Sequence, residues 1–163
     1  MKNFVIYLVL ALLFLVIDNT LLHLLFPPFL IPDVILIMVF YLGFNNRSAS
    51  GALTAFSLGY LTDVFSAGVV GTSSFTLVFV FAVTSLLAKL ISLDNMLVKI
   101  GGTAFMSVVK GVLTYFLLIF LNQKIPFYII FPTAISTGIA SPFVFNLLKR
   151  VELKAKSMGY SNY

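Results

Sequence analysis

Six apolar runs, each 16 to 22 residues long, leave this chain few folds to adopt. A helix that crosses a bilayer needs about 20 predominantly apolar residues, because the hydrocarbon core is about 30 Å thick. Only short polar, proline-rich or glycine-rich segments separate the runs. The sequence therefore predicts an all-α, polytopic membrane protein with about six transmembrane helices. The predicted spans are residues 4–25, 29–44, 48–66, 75–91, 100–121 and 128–148.

Composition excludes several other classes of protein. The chain of 163 residues is 61% hydrophobic and 9% charged, with a mean hydropathy of +1.13, which is far from the composition of a soluble domain. Without cysteine it has neither a disulfide framework nor a thiolate metal site. The net charge of +5 is not gathered into a basic cluster with interleaved aromatics, so no nucleic acid partner is expected. No cofactor is expected either.

The basic residues predict the orientation in the membrane. Eight of the ten fall on one side of the predicted spans, Lys124 falls on the other, and Lys110 lies inside a span. Cytoplasmic loops carry the excess of Lys and Arg, so both termini are predicted to be cytoplasmic. We expect a six-helix bundle over residues 1–148 and a basic cytoplasmic tail over 149–163, frayed or lying on the membrane surface. The eight are Lys2, Arg47, Lys89, Lys99, Lys149, Arg150, Lys154 and Lys156.

The stretch from residue 31 to 74 contains the sequence features that say most about local structure. Pro32 suits the start of a helix, and Asp33 beside it favours the positive end of the helix dipole. Asp33 is expected to cap that helix, and a direct contact with a partner is the alternative. Further along, Gly51, Ala55 and Gly59 are spaced by four and predict a stripe of small residues on one helix face. Such a stripe packs against another span of the same chain or against a partner's helix.

These features, in this order, resemble the MreD family of bacterial rod-shape-determining membrane proteins. The resemblance implies a non-enzymatic subunit of the cell-elongation complex in the bacterial inner membrane. It implies binding to MreC and, through MreC, links to MreB, RodA and a class B penicillin-binding protein. The implied fold is similar to the substrate-capture subunits of energy-coupling-factor transporters. The residues that match the family's motif are Pro32, Asp33, Gly59, Asp63, Gly68 and Gly71.

Three charged residues interrupt the apolar runs: Asp18, Asp63 and Lys110. Each costs about 2.5 to 3.5 kcal/mol at the centre of a span, so such residues face protein rather than lipid. We expect Lys110 to pair with Asp18 or Asp63 in a polar cluster in the outer half of the bundle. One alternative is that each residue extends separately to the membrane interface. Another is that the three residues form a proton or ion relay. Lys110 matches no position of the family's motif.

No arrangement typical of catalysis appears in the sequence. It lacks a carboxylate pair at fixed local spacing, a Ser/His/Asp set and a phosphate-binding loop, so the protein is expected not to be an enzyme. The main alternative to the rod complex is a substrate-capture subunit that binds a small vitamin in the outer cavity. That alternative predicts a closed apolar pocket with converging polar groups.

Overall fold

The computed structural model describes residues 9, 11–16, 27, 30–45, 48–66, 69–91, 95–123 and 129–160, with side chains as far as residue 154. All regular secondary structure within these ranges is helical, which confirms the predicted all-α class. A short helical segment, residues 11–16, precedes five longer helices. These are α1 (Val34–Asn45), α2 (Ala49–Phe65), α3 (Thr72–Leu87), α4 (Met96–Phe120) and α5 (Ile130–Tyr160).

Two of these helices are long and apolar enough to cross a membrane. They are Met96–Phe120 and the part of α5 from Ile130 to Lys154, each 25 residues long. Their length and composition favour association with a membrane. Helices α1, α2 and α3 have 12, 17 and 16 residues, so they are shorter than a full span. The predicted span at residues 4–25 lies largely outside the described residues.

Helix α1 is the centre of the bundle. Ten consecutive residues, from Val34 to Gly43, are buried, because α1 packs against all four of the other long helices. A helix that is apolar all round is stable only when neighbours cover every face. The surrounding helices contribute Leu58, Leu77, Met106 and Leu148 to the same core. The shortest of the five helices therefore organises the packing of the rest.

The helices begin within five residues of the predicted span starts, with α1 beginning at Val34 and α4 at Met96, and two differences are informative. Helix α3 begins at Thr72, three residues before the predicted start, because Asp63 and Gly71 organise its first turn. Helix α5 continues through the predicted boundary at residue 148 to Tyr160, so the described part of the tail is helical. Good helix formers fill this extension, and the Tyr41 hydroxyl donates a 2.9 Å hydrogen bond to Glu152 that ties it to α1.

The bundle has two distinct ends. The first residues of α1, α3 and α5 lie at one end with the last turn of α2, and this end holds Asp33, Asp63 and Lys110. The opposite end holds the last turn of α1 and of α3 and the extension of α5. We call the first the aspartate end and the second the basic end, because Lys89, Lys149 and Arg150 lie exposed at the second.

Candidate functional site

Asp33 joins three helices at the aspartate end. Its Oδ1 accepts a 2.9 Å hydrogen bond from the Leu36 N–H, so its side chain caps α1, the role that its place beside Pro32 predicted. Its backbone N–H donates to Thr137 Oγ1 of α5 at 2.9 Å. Its other carboxylate oxygen, Oδ2, forms an ion pair with Lys110 Nζ of α4. One residue thereby fixes the start of the central helix against both long helices.

The ion pair between Asp33 and Lys110 is largely withdrawn from solvent. The two side chains are 20% and 15% exposed. Charges gain more from pairing in such a setting than on an open surface, because the effective dielectric constant is lower. The positive end of the α1 dipole also stabilises the carboxylate. Lys110 is therefore accommodated in an apolar helix by a partner that already has a second task, the capping of α1.

A pocket of about 170 Å³ lies beside the ion pair. Gly111 packs against Ile130, so α4 continues nine residues past the start of α5, a distance of about 14 Å. The pocket lies between α4, where it begins to extend past α5, and the first turn of α5. Hydroxyl groups and apolar side chains share its wall. It is lined by Asp33, Ser107, Lys110, Gly111, Thr114, Tyr115, Ile129, Ile130 and Thr133.

Asp63 forms a second polar centre, where α2 turns into α3. It is 3% exposed, and its carboxylate accepts hydrogen bonds from the N–H groups of Gly71 at 2.7 Å, Ser73 at 2.9 Å and Ser74 at 3.4 Å. The first N–H groups of a helix have no partner within the helix, and a carboxylate there also meets the positive end of the dipole. Gly71 has φ of +102°, which glycine adopts without the strain of a Cβ.

The predicted pairing of Lys110 with Asp63 is wrong. The structure joins Lys110 to Asp33, whereas both oxygens of Asp63 are taken by backbone N–H groups. Asp33 was available because capping α1 uses only its Oδ1. Asp18 and the motif residue Gly68 lie outside the described residues.

The small-residue stripe on α2 faces the interior of the chain. Gly51, Ala55 and Gly59 are all buried. A Cβ added at Gly59 would lie 2.6 Å from Ser74 N and 2.7 Å from Ser73 O, so the backbones of α2 and α3 are in close contact there. The stripe was expected to pack against another helix of the same chain or against a partner's helix. In the structure it packs against α3 of the same chain.

Sequence reasoning missed Thr137 and the Tyr41–Glu152 hydrogen bond. Both contacts join residues more than 100 positions apart, so no local sequence pattern predicts them. For the ion pair there was a usable signal, since Asp33 and Lys110 were both expected in the outer half of the bundle. A capping role by itself does not predict this second contact, because it uses one carboxylate oxygen of Asp33 and leaves the other for a cation.

Comparison of the chain with family models, curated proteins and solved structures finds no match.

Proposed function

We propose that this protein is a non-enzymatic integral-membrane subunit of the bacterial cell-elongation complex, of the MreD type. The observation that carries the proposal is the ordered motif within residues 31–74. It runs from Pro32-Asp33 through Gly59-x-x-x-Asp63 to Gly68-x-x-Gly71. Each element is common by itself, but the combination at this spacing in a short, cysteine-free apolar chain is specific.

The contacts of the motif residues give a physical reason for their occurring together. Asp33 caps α1, and Asp63 accepts hydrogen bonds from the first N–H groups around the start of α3. Gly59 permits the close approach of α2 that brings Asp63 to that turn. The motif thus shapes the aspartate end of the bundle, which supports a role for that end in recognition.

The proposed topology places six spans in the inner membrane with both termini in the cytoplasm. The distribution of charge supports it. Among the described side chains, the exposed cations Lys89, Lys149, Arg150 and Lys154 lie at the basic end, whereas Asp33 and Asp63 lie at the other. By the positive-inside rule the basic end is cytoplasmic and the aspartate end faces outward.

The proposed partner is MreC, with MreB, RodA and a class B penicillin-binding protein reached through it. Gly51, Ala55 and Gly59 are covered by the chain itself. The single helix of a partner must therefore dock on another face. The aspartate end offers the overhang of α4, where the exposed fractions are 65% for Phe116 and 88% for Phe120. Exposed aromatic side chains of this kind support binding of an apolar segment.

A vitamin-binding transport subunit is the second candidate, because a pocket with a charged pair lies at the aspartate end. Its volume of about 170 Å³ is small for that task, since ligand pockets are typically about 300 to 1,000 Å³. For comparison, a cavity of about 150 Å³ holds a molecule the size of benzene. The pocket volume favours the scaffold over the transport subunit.

Co-purification tests the proposal. The tagged full-length chain is expressed in a rod-shaped bacterium from which the resident MreD has been deleted, and it is isolated from the membrane in mild detergent. We expect restored rod shape and recovery of a coiled-coil protein of the MreC type. Recovery of a bound vitamin together with an ATPase module would establish the second candidate. Spherical cells with neither partner recovered would contradict both.

A further inference from the structure

One face of α5 presents a continuous apolar stripe. Phe131, Ile135, Ile139 and Phe143 follow one another at intervals of four, and their exposed fractions rise from 55% to 73%. They extend over 12 residues, which is about 18 Å along the helix. Large apolar side chains exposed along a whole helix face are covered by lipid or by another protein.

The same face becomes polar and then basic at its far end. Asn146 follows Ile139 by seven residues, and Arg150 follows Phe143 by seven, so each points in nearly the direction of its apolar predecessor. Asn146, Lys149 and Arg150 are all exposed. The face thus changes from apolar to cationic within about two helical turns, at the level where the rest of the bundle ends.

The acidic residue of this segment is turned inward. Glu152 accepts the hydrogen bond from the Tyr41 hydroxyl of α1, so it lies on the side of α5 that meets the bundle. Glu152 is half-buried, whereas Lys149 and Arg150 are exposed. That face therefore presents positive charge to whatever lies against the apolar stripe.

We propose that this face binds an anionic phospholipid, with the headgroup phosphate at Lys149 and Arg150. The acyl chains lie along Ile135, Ile139 and Phe143. The continuity of the apolar stripe with the cations selects a lipid over an acidic protein, because a lipid carries both chemistries in the same order. Basic residues at the cytoplasmic end of a span attract anionic lipids. The inference requires the chain to lie in a membrane but not the rod-complex assignment, so failure to recover MreC would leave it standing.

The test measures phosphatidylglycerol binding to the full-length protein in detergent, by native mass spectrometry and by the rise in unfolding temperature. Phosphatidylcholine is the uncharged comparison. The variant Lys149→Gln/Arg150→Gln removes two charges from the face. Its matched control, Lys89→Gln/Lys99→Gln, removes two charges that lie outside α5. A charge-conserving variant, Lys149→Arg/Arg150→Lys, separates loss of charge from loss of folding.

We expect wild type to bind phosphatidylglycerol at least roughly tenfold more tightly than phosphatidylcholine. Removal of both cations should weaken phosphatidylglycerol binding about 30-fold, roughly fivefold for each charge, and leave phosphatidylcholine binding unchanged. The control and the charge-conserving variant should stay within about threefold of wild type. Equal binding of the two lipids, or an equal loss in the control, would overturn the proposal. So would binding of polyglutamate in preference to phosphatidylglycerol, which would indicate an acidic protein instead.

Discussion

Substitution of Gly59 by alanine tests the close contact between α2 and α3. A Cβ at this position would lie 2.6 Å from Ser74 N and 2.7 Å from Ser73 O. Ordinary van der Waals contact begins at 3.4 Å, so α2 and α3 would have to separate by at least 0.8 Å, the difference between 3.4 and 2.6 Å. Both atoms belong to the backbone, so no rotation of a side chain relieves the clash.

The same movement would weaken the capping of α3. Ser73 N–H and Ser74 N–H, which the added methyl group would displace, donate to Asp63. Overpacking of this kind costs about 1–3 kcal/mol, against a gain of roughly 1 kcal/mol from the better helix propensity of alanine. Loss of the capping bonds offsets that gain. We therefore expect a net loss of about 1–3 kcal/mol, which for a chain of this length lowers the unfolding temperature by about 2–12 °C.

Gly101→Ala is the matched control. Gly101 lies inside α4, and a Cβ there would meet no atom within 4 Å. Only the propensity gain of roughly 0.5–1 kcal/mol remains, so this variant should unfold at the same temperature as wild type or a few degrees higher. Far-UV circular dichroism during heating, in one detergent and at one protein concentration, measures all three proteins.

The expected order of unfolding temperature is Gly59→Ala below wild type, with Gly101→Ala at or above it. If Gly59→Ala unfolds at or above the wild-type temperature, the helices tolerate the methyl group and the close approach of α2 to α3 is not as described. An equal decrease in both variants would show that any alanine in an apolar helix of this chain is harmful, and the argument from distance would fail.

Three further predictions concern the aspartate end and the orientation of the bundle in the membrane. Lys110→Met should lower the free energy of unfolding more in the wild-type protein than in the Asp33→Asn variant. We expect the difference between these two losses, the coupling energy of the ion pair, to be about 1–3 kcal/mol from thermal unfolding. Equal losses would exclude an energetic role for the ion pair. Gly71→Ala should cost about 1–2 kcal/mol through its φ of +102°, and an unchanged unfolding temperature would contradict that strain. In this cysteine-free chain, a membrane-impermeant maleimide added to spheroplasts should label Val70→Cys but not Ser48→Cys, and the reverse pattern would invert the proposed orientation.

Local sequence patterns were sufficient for the helical class and for most helix boundaries. Pro32-Asp33 predicts the start of α1 within two residues, because a cap satisfies N–H groups only a few positions further along the chain. The polar residues Asn45 and Asn46 likewise predict its end. The start of α3 was predicted less well, since it depends on Asp63 reaching across a turn to Gly71 and Ser73.

The local sequence by itself determined that the described chain folds as apolar helices, because apolarity accumulates residue by residue. Which aspartate receives Lys110 was decided only by the tertiary structure, since Asp33 and Lys110 are 77 positions apart and meet through the packing of α1 against α4. Packing also decided that α1, one of the shorter apolar runs, is the buried centre. An apolar pattern states that a helix must be covered, but the order in which helices surround one another depends on contacts that no single segment contains.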